Sequence, residues 1–370
     1  MIPVNEPLLD GNEKKYLAEC IDTGWISSEG PFVERFETEF AARIGRKHGI
    51  AVCNGTAAID AAVEALGIGP GDEVILPTFT IISCVLQIVR SGAKPVFVDA
   101  DPRTWNMDVT QIECKITSRT KAIMVVHIYG LPVDMDPVLE LAERYELKII
   151  EDAAEAIGQT YRGRPCGSFG EISTFSFYPN KHITTGEGGM ILTDDDDIAE
   201  ACRSLRNLCF QPDRRFFHER LGWNLRMTNL QAAVGLAQLE RLDEFLERKR
   251  SMGKLYTAAL CDLDSLVLPL MRTEFAENLY WVYAVVISES SPLSVDHVRS
   301  ELASYGVGTR PAFFPLHAQP VLASDGMTVK GEYKVSEYLC DRCFYLPSGL
   351  ALTSEKIEHV ADRLREIIER

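Results

Sequence analysis

The chain has 370 residues, 46% hydrophobic and 25% charged, the proportions of a soluble globular protein too long for one core. Its net charge of −16 argues against a nucleic-acid partner, which wants a basic face. No apolar run is long enough to span a bilayer. The opening MIPVNEPLLDGNEKKYL has neither the basic start nor the apolar stretch of a secretory signal, so the expected compartment is the cytoplasm, with no membrane partner.

In chain order, short apolar strands are predicted at 49–53, 73–76, 95–98, 121–127, 147–151, 172–177 and 189–193. Amphipathic helices are predicted at 11–22, 32–43, 56–66, 81–90, 135–145, 195–207 and 228–249. This alternation predicts an α/β fold, a mostly parallel seven-stranded sheet flanked by helices. From about residue 250 the texture changes to a strand at 280–288, a helix at 294–304, a Pro-rich loop at 311–320 and a last helix at 353–369. The expected division is a large domain over 1–249 and a smaller C-terminal α+β domain over 250–370, with the N-terminal segment free to pack on the smaller one. The run Asp194–Asp197 is expected to be a solvated turn that caps the next helix. The ten cysteines are expected as free thiols, mostly buried. Cys340 and Cys343 form a CxxC without the second pair that a zinc site needs, so no metal is expected.

Ligands of such sheets sit beyond the carboxyl ends of the strands, and the chemistry-bearing residues fall there. Asn54-Gly55-Thr56 ends one strand and opens an alanine-rich helix. Glycine lets the backbone approach a ligand, and free first-turn amides suit a phosphate; the alternative is a plain turn with Thr56 as N-cap. Asp152 ends the strand LKII, where an acid is costly unless a cation such as a protonated pyridine nitrogen meets it. Its alternative is a cap for the following segment. Lys181 follows Ser176 and a Tyr-Pro-Asn bend and precedes Gly186, Gly188 and Gly189. A lysine in a dry pocket loses proton affinity and becomes a nucleophile toward aldehydes; the alternative is a surface lysine. Together these are the parts that pyridoxal 5′-phosphate requires: a lysine for its aldehyde, an acid for its ring nitrogen, amides and hydroxyls for its phosphate. There is no GxGxxG, which weakens a dinucleotide reading.

The chain resembles the DegT/DnrJ/EryC1/StrS nucleotide-sugar aminotransferases, which are pyridoxal phosphate enzymes of fold type I. The resemblance rests on Trp25-Ile26-Ser27-Ser28, GIGPGDEVILPTFT (67–80), EDAAEAIG (151–158), TFSFYPNK (174–181), GEGGM (186–190), RMTNLQAAVGLAQLERL (226–242) and RPAFFPLHAQP (310–320). LDGNE (9–13), DMDP (134–137), ITTGEGGM (183–190) and Arg214-Arg215 look like the branch that aminates C4 of GDP-4-keto-6-deoxymannose.

By position, the resemblance makes Lys181 the lysine that bonds the cofactor and Asp152 the acid at the pyridine nitrogen. Glu155 is placed near the ring oxygen, and Gly55, Thr56 and Ser176 at the phosphate. Asn229 is expected to reach the phosphate from the other subunit of a homodimer with shared active sites. Tyr178, His182 and His317 are the expected substrate contacts. The implied reaction takes an amino group from L-glutamate to C4 of a 4-keto-6-deoxy nucleotide sugar. GDP, UDP and dTDP are left open as the nucleotide, and a non-catalytic cofactor-binding regulator is the alternative of another class. Where the family often carries an aromatic residue against the cofactor ring, this chain has Ile81.

Overall fold

The computed structural model describes residues 1–211, 213–324 and 331–370. Two helices, α1 (Glu13–Thr23) and α2 (Pro31–Ile44), lead into β1 (His48–Val52) and α3 (Gly55–Ala65). Then follow β2 (Glu73–Pro77), α4 (Ser83–Arg90), β3 (Lys94–Val98), β4 (Thr120–Val126), α5 (Met135–Tyr145) and β5 (Lys148–Asp152). A small hairpin of β6 (Thr160–Tyr161) and β7 (Arg164–Pro165) precedes β8 (Ile172–Ser176), β9 (Gly189–Thr193) and α6 (Asp196–Arg206).

The seven predicted strands form one sheet in the order β1-β9-β8-β5-β4-β2-β3. β9 runs antiparallel to both its neighbours and the other adjacent pairs are parallel. β2 and β9 are buried at every position, as a sheet covered on both faces requires. On one face, Ala57, Ala58, Ala61 and Ala62 are buried in the core that α3 shares with the sheet, and their small side chains let the helix lie close to it. On the other, Phe36 and Phe40 of α2 meet Phe175 and Phe177 at ring separations of 4.9–5.2 Å across three pairs. Such contacts contribute about 0.5–1.5 kcal/mol each beyond their burial.

The predicted helix 228–249 is two helices, α7 (Asn229–Leu239) and α8 (Leu242–Leu260). α7 opens on a capping box between Thr228 and Gln231. The break comes at Arg241, whose φ of −113° and ψ of 12° leave the helix, and whose guanidinium binds Asp10 of the N-terminal segment as well as Glu244.

Beyond α8, four strands form an antiparallel sheet in the order β10 (Leu266–Val267), β11 (Tyr283–Ile287), β13 (Cys343–Leu346) and β12 (Arg310–Pro311). α9 (Val295–Ser304), α10 (Pro320–Ser324), α11 (Lys334–Arg342) and α12 (Ser354–Ile368) complete the chain. Tyr256 of α8, Tyr283, Phe344 and Leu364 are fully buried in the core of this second sheet. The N-terminal segment runs along it: Ile2 bridges Val307, and the Asn5 amide donates to the Pro179 carbonyl at 2.7 Å.

The acidic run divides its labour. Asp195 caps α6 through the amides of Asp197 and Ile198, Asp194 pairs with Arg46, and Asp196 with Lys47 and His48. All ten cysteines are free thiols; Cys114 and Cys261 are exposed. Cys340 lies in α11 and Cys343 in β13, so the CxxC straddles a helix end.

Candidate active site

The carboxyl ends of β1, β5 and β8 open on a cavity of about 760 Å³, closed from the other side by residues of the second sheet. Lys181 stands on the loop that joins β8 to β9. This loop is folded back on itself: Phe177 N–H donates to the Gly188 carbonyl at 2.8 Å, and the Phe177 carbonyl accepts from Thr185 N–H at 3.0 Å and the Thr184 hydroxyl at 2.8 Å. Gly188 is required here, because a Cβ would lie 2.1 Å from Thr185 Oγ1. The glycines after Lys181 therefore belong to the closure that holds the lysine at the strand end.

The Lys181 side chain is only 10% exposed, with Nζ 3.8 Å from Glu155 Oε1 and 4.0 Å from the centre of the Trp281 ring. Burial lowers its proton affinity, and the Glu155 and Asp152 charges oppose that shift. Glu155 is itself buried; its other oxygen accepts from Tyr129 N–H at 2.9 Å, which the left-handed backbone of Tyr129 (φ 57°) presents. Burial raises the Glu155 pKa against the pull of Lys181.

Asp152 ends β5, 4% exposed. One oxygen accepts from Ala154 N–H at 3.0 Å and the other from the Cys84 thiol at 3.3 Å. Burial raises its pKa; the Ala154 amide and Lys181 act the other way. An acid so placed, with no directly bonded cation, suits a cationic ring nitrogen arriving from the cavity.

At the start of α3 the N-cap is Asn54, whose side chain accepts from Ala57 N–H at 2.8 Å. Thr56, the residue expected as cap in the plain-turn reading, instead shares a 2.8 Å hydrogen bond with Ser83. Gly55 touches the end of β8: a Cβ there would lie 2.7 Å from Ser176 Cβ. Gly55, Thr56 and Ser176 all line the cavity, and so do Asp60, Thr174 and Asn180, each with one buried side-chain oxygen that lacks a hydrogen-bond partner among the described residues. A side-chain-free cradle, unspent polar atoms, a buried acid and a buried lysine fit pyridoxal phosphate.

The structure brings together Lys181, Asp152, Glu155, Gly55, Thr56 and Ser176, with Tyr178 and Ile81 partly exposed at the same cavity. Three expected site residues are not at that cavity. Asn229 is fully buried and serves as a remote cap for α2. Its Oδ1 accepts from the amides of Phe32 (2.9 Å) and Val33 (3.3 Å), and its Nδ2 donates to the Trp25 carbonyl at 2.7 Å. Gly30, the N-cap position of α2, has no side chain to do this, and a Cβ there would lie 2.4 Å from Asn229 Cγ. Both ends of its amide are thus engaged within its own chain. His317 is stacked on Tyr333 and held between Thr78 (2.8 Å) and Glu337 (3.3 Å). His182 is fully buried, its ring nitrogens without partners among the described residues. Burial, then the nearby Lys249 charge, keep it neutral with a pKa well below the usual value.

The second sheet and the segments next to its strands contribute residues that sequence reasoning missed: Trp281, Arg310, Phe313 and Tyr345 line the cavity. Arg310 and Phe313 belong to RPAFFPLHAQP, where His317 drew the attention. Trp281 sits in a stretch legible only as strand core. A separate buried cluster, His127, Glu151 and Cys166, has ligand atoms within 4.8 Å of one another. Glu151 is taken up by His127 and the amides of Gly167 and Phe169, and His127 Nδ1 by Val133 N–H. Those bonds make it a brace for the loop around residue 167.

Residues 7–365 match the model of the DegT/DnrJ/EryC1/StrS aminotransferase family. The chain belongs to that family. It is a pyridoxal phosphate-dependent aminotransferase of fold type I. It is 46% identical over 367 residues to the GDP-perosamine synthase of Caulobacter vibrioides, covering 99% of this chain and 98% of that one. To the GDP-perosamine synthase of Escherichia coli O157:H7 it is 41% identical over 365 residues, with 99% and 98% covered. Among solved structures, the aminotransferase TlmJ from Streptoalloteichus hindustanus superposes with a TM-score of 0.92 at 31% identity, covering 99% of this chain and 98% of the other.

Proposed function

We propose that this aminotransferase moves the amino group of L-glutamate to C4 of GDP-4-keto-6-deoxymannose, giving GDP-perosamine. The observation that carries the amine-transfer chemistry is the buried amine of Lys181, within 4 Å of the Glu155 carboxylate at a cavity that also holds the buried Asp152. The choice of sugar nucleotide rests on full-length likeness to GDP-perosamine synthases.

When bound, pyridoxal phosphate supplies an aldehyde for the incoming amine and a ring that absorbs electrons released at carbon. Asp152 holds the ring nitrogen protonated. Gly55, Thr56 and Ser176 receive the phosphate at the head of α3, where helix amides and dipole favour an anion. Lys181, once free, takes the proton from the α-carbon of glutamate and, in the second half-reaction, delivers one to C4 of the sugar. General base work of this kind contributes about 10²–10⁴-fold. Its low proton affinity keeps a fraction of the amine neutral and able to accept.

We further propose a cytoplasmic homodimer serving O-antigen or other lipopolysaccharide synthesis. In support of a dimer, Trp25, Phe216 and Leu221 are 50%, 84% and 93% exposed, unusual for large apolar side chains unless something covers them. Among the described residues no helix is long and apolar enough to cross a membrane.

The test is to add L-glutamate to purified, cofactor-loaded protein, follow the cofactor absorbance, then supply GDP-, UDP- and dTDP-linked 4-keto-6-deoxy sugars and weigh the products. Conversion of the cofactor and a GDP-linked amino sugar are expected, both lost in Lys181→Ala. Turnover of only a UDP- or dTDP-linked sugar would overturn the nucleotide assignment, and no response to glutamate would favour a regulator.

A further inference from the structure

Trp281 lies just ahead of β11 of the second sheet, yet it touches Lys181 in two ways. Its ring lies under the lysine amine, with Nζ 4.0 Å from the ring centre. Its indole N–H donates to the Asn180 carbonyl at 2.7 Å, pinning the peptide that leads into Lys181. The ring is 4% exposed and stacked on Tyr129 at 6.0 Å, the residue whose N–H holds Glu155. Its carbonyl accepts from the buried Lys249 ammonium at 2.9 Å. Gly130 lies against its backbone, where a Cβ would come within 2.5 Å of Trp281 N. These contacts fix the backbone of Trp281 and one edge of its ring.

We infer that Trp281 is a positioning residue for Lys181, a π face on which the free lysine amine rests once it has taken up its proton. The inference rests on the reading of Lys181 as proton carrier. An amine that must release the cofactor, wait and return needs a resting place in a dry site. The aromatic face supplies it: ring quadrupoles attract cations, and more strongly when water is excluded. The other titratable groups around the amine are Asp152 at the end of β5, Glu155 just beyond it, His182 next in the chain, Cys84 of α4, and Arg310 and Tyr345 of the second sheet. The two acids also favour the ammonium but leave the amine no face to rest on.

The test uses full-length protein loaded with pyridoxamine 5′-phosphate, in which Lys181 is free. Acetylation of Lys181 by acetic anhydride, mapped by peptide mass spectrometry across pH, reports its pKa without turnover. Trp281→Leu is expected to lower that midpoint by about one pH unit, the loss of a desolvated cation–π contact. Trp281→Phe, which keeps a ring, is expected to lower it by less than half as much. A purely structural role gives the opposite sign, because loosened packing admits water and raises the midpoint. A rise, or no change in either variant, overturns the inference. If Trp281→Leu does not fold, the direction of the shift in Trp281→Phe decides. Failure of the proton-carrier reading would be seen separately, as amine transfer surviving in Lys181→Ala.

Discussion

Replacing Lys249 with methionine is a direct test of the packing between α8 and the second sheet. Lys249 is 2% exposed, and its ammonium donates to the carbonyls of Trp281 and Ser348. Burial lowers its pKa from 10.5 to about 7. Below pH 7 the folded and unfolded chains both hold the proton, and the cost of burying the charge is present in full. Between about pH 7 and 10.5 the unfolded chain holds one proton more than the folded one. Stability therefore rises with pH in that window by about 1.4 kcal/mol per unit, roughly 5 kcal/mol over its whole width. Lys249→Met has no such proton. At pH 6 it escapes the buried charge but strands two carbonyls, at about 1–3 kcal/mol each, so the two proteins should be similar in stability. At pH 9 the wild type should be the more stable by about 2–3 kcal/mol. Urea unfolding followed by tryptophan fluorescence from pH 6 to 9 measures the difference. A gap between the two proteins that is the same at pH 6 and pH 9 would refute the reasoning.

Three further outcomes follow from the geometry. Asn229→Ala should lower stability by about 3 kcal/mol, because it uncaps α2 and strands buried amides, while leaving cofactor affinity in the folded fraction near normal; thermal melts and a cofactor titration separate the two effects. Gly55→Ala drives a methyl into Ser176, so it should cost about 1–3 kcal/mol and weaken cofactor retention, read by melting temperature and by absorbance after dialysis. Asp152→Asn removes a buried carboxylate whose charged form burial disfavours. In the cofactor-free protein it should raise stability more at pH 8 than near pH 4, because the raised pKa of Asp152 makes its ionised form costly only above the unfolded chain's pKa. It should slow the glutamate half-reaction roughly a hundredfold or more, as loss of a preorganised electrostatic partner does.

Strands such as β2 (EVILP), β4 (TKAIMVV) and β9 (GMILT) were legible as apolar runs, the pattern that burial on both faces imposes. Asp152 and Lys181 were legible for a related reason: a charged residue at the end of such a run has to be answered by a ligand or a partner. What escaped depends on contacts between distant parts of the chain. Nothing in LQAAVGLAQLERL announces a break at Arg241; at the break Arg241 meets Asp10, which only the fold brings near. Asn229 stands where a phosphate ligand would be sought, but its partners are the amides after Gly30, and the lack of a side chain at Gly30 makes room for it. In RPAFFPLHAQP the residues that line the cavity are Arg310 and Phe313, and the pairing of Arg310 with Tyr345 on β13 that sets this is a long-range register. Trp281 is the most instructive case. Its neighbours in sequence mark it as core, and it is core. The same burial that hides it from pattern reading holds its ring beneath Lys181, so packing of the segment ahead of β11 bears directly on the chemistry at the large sheet.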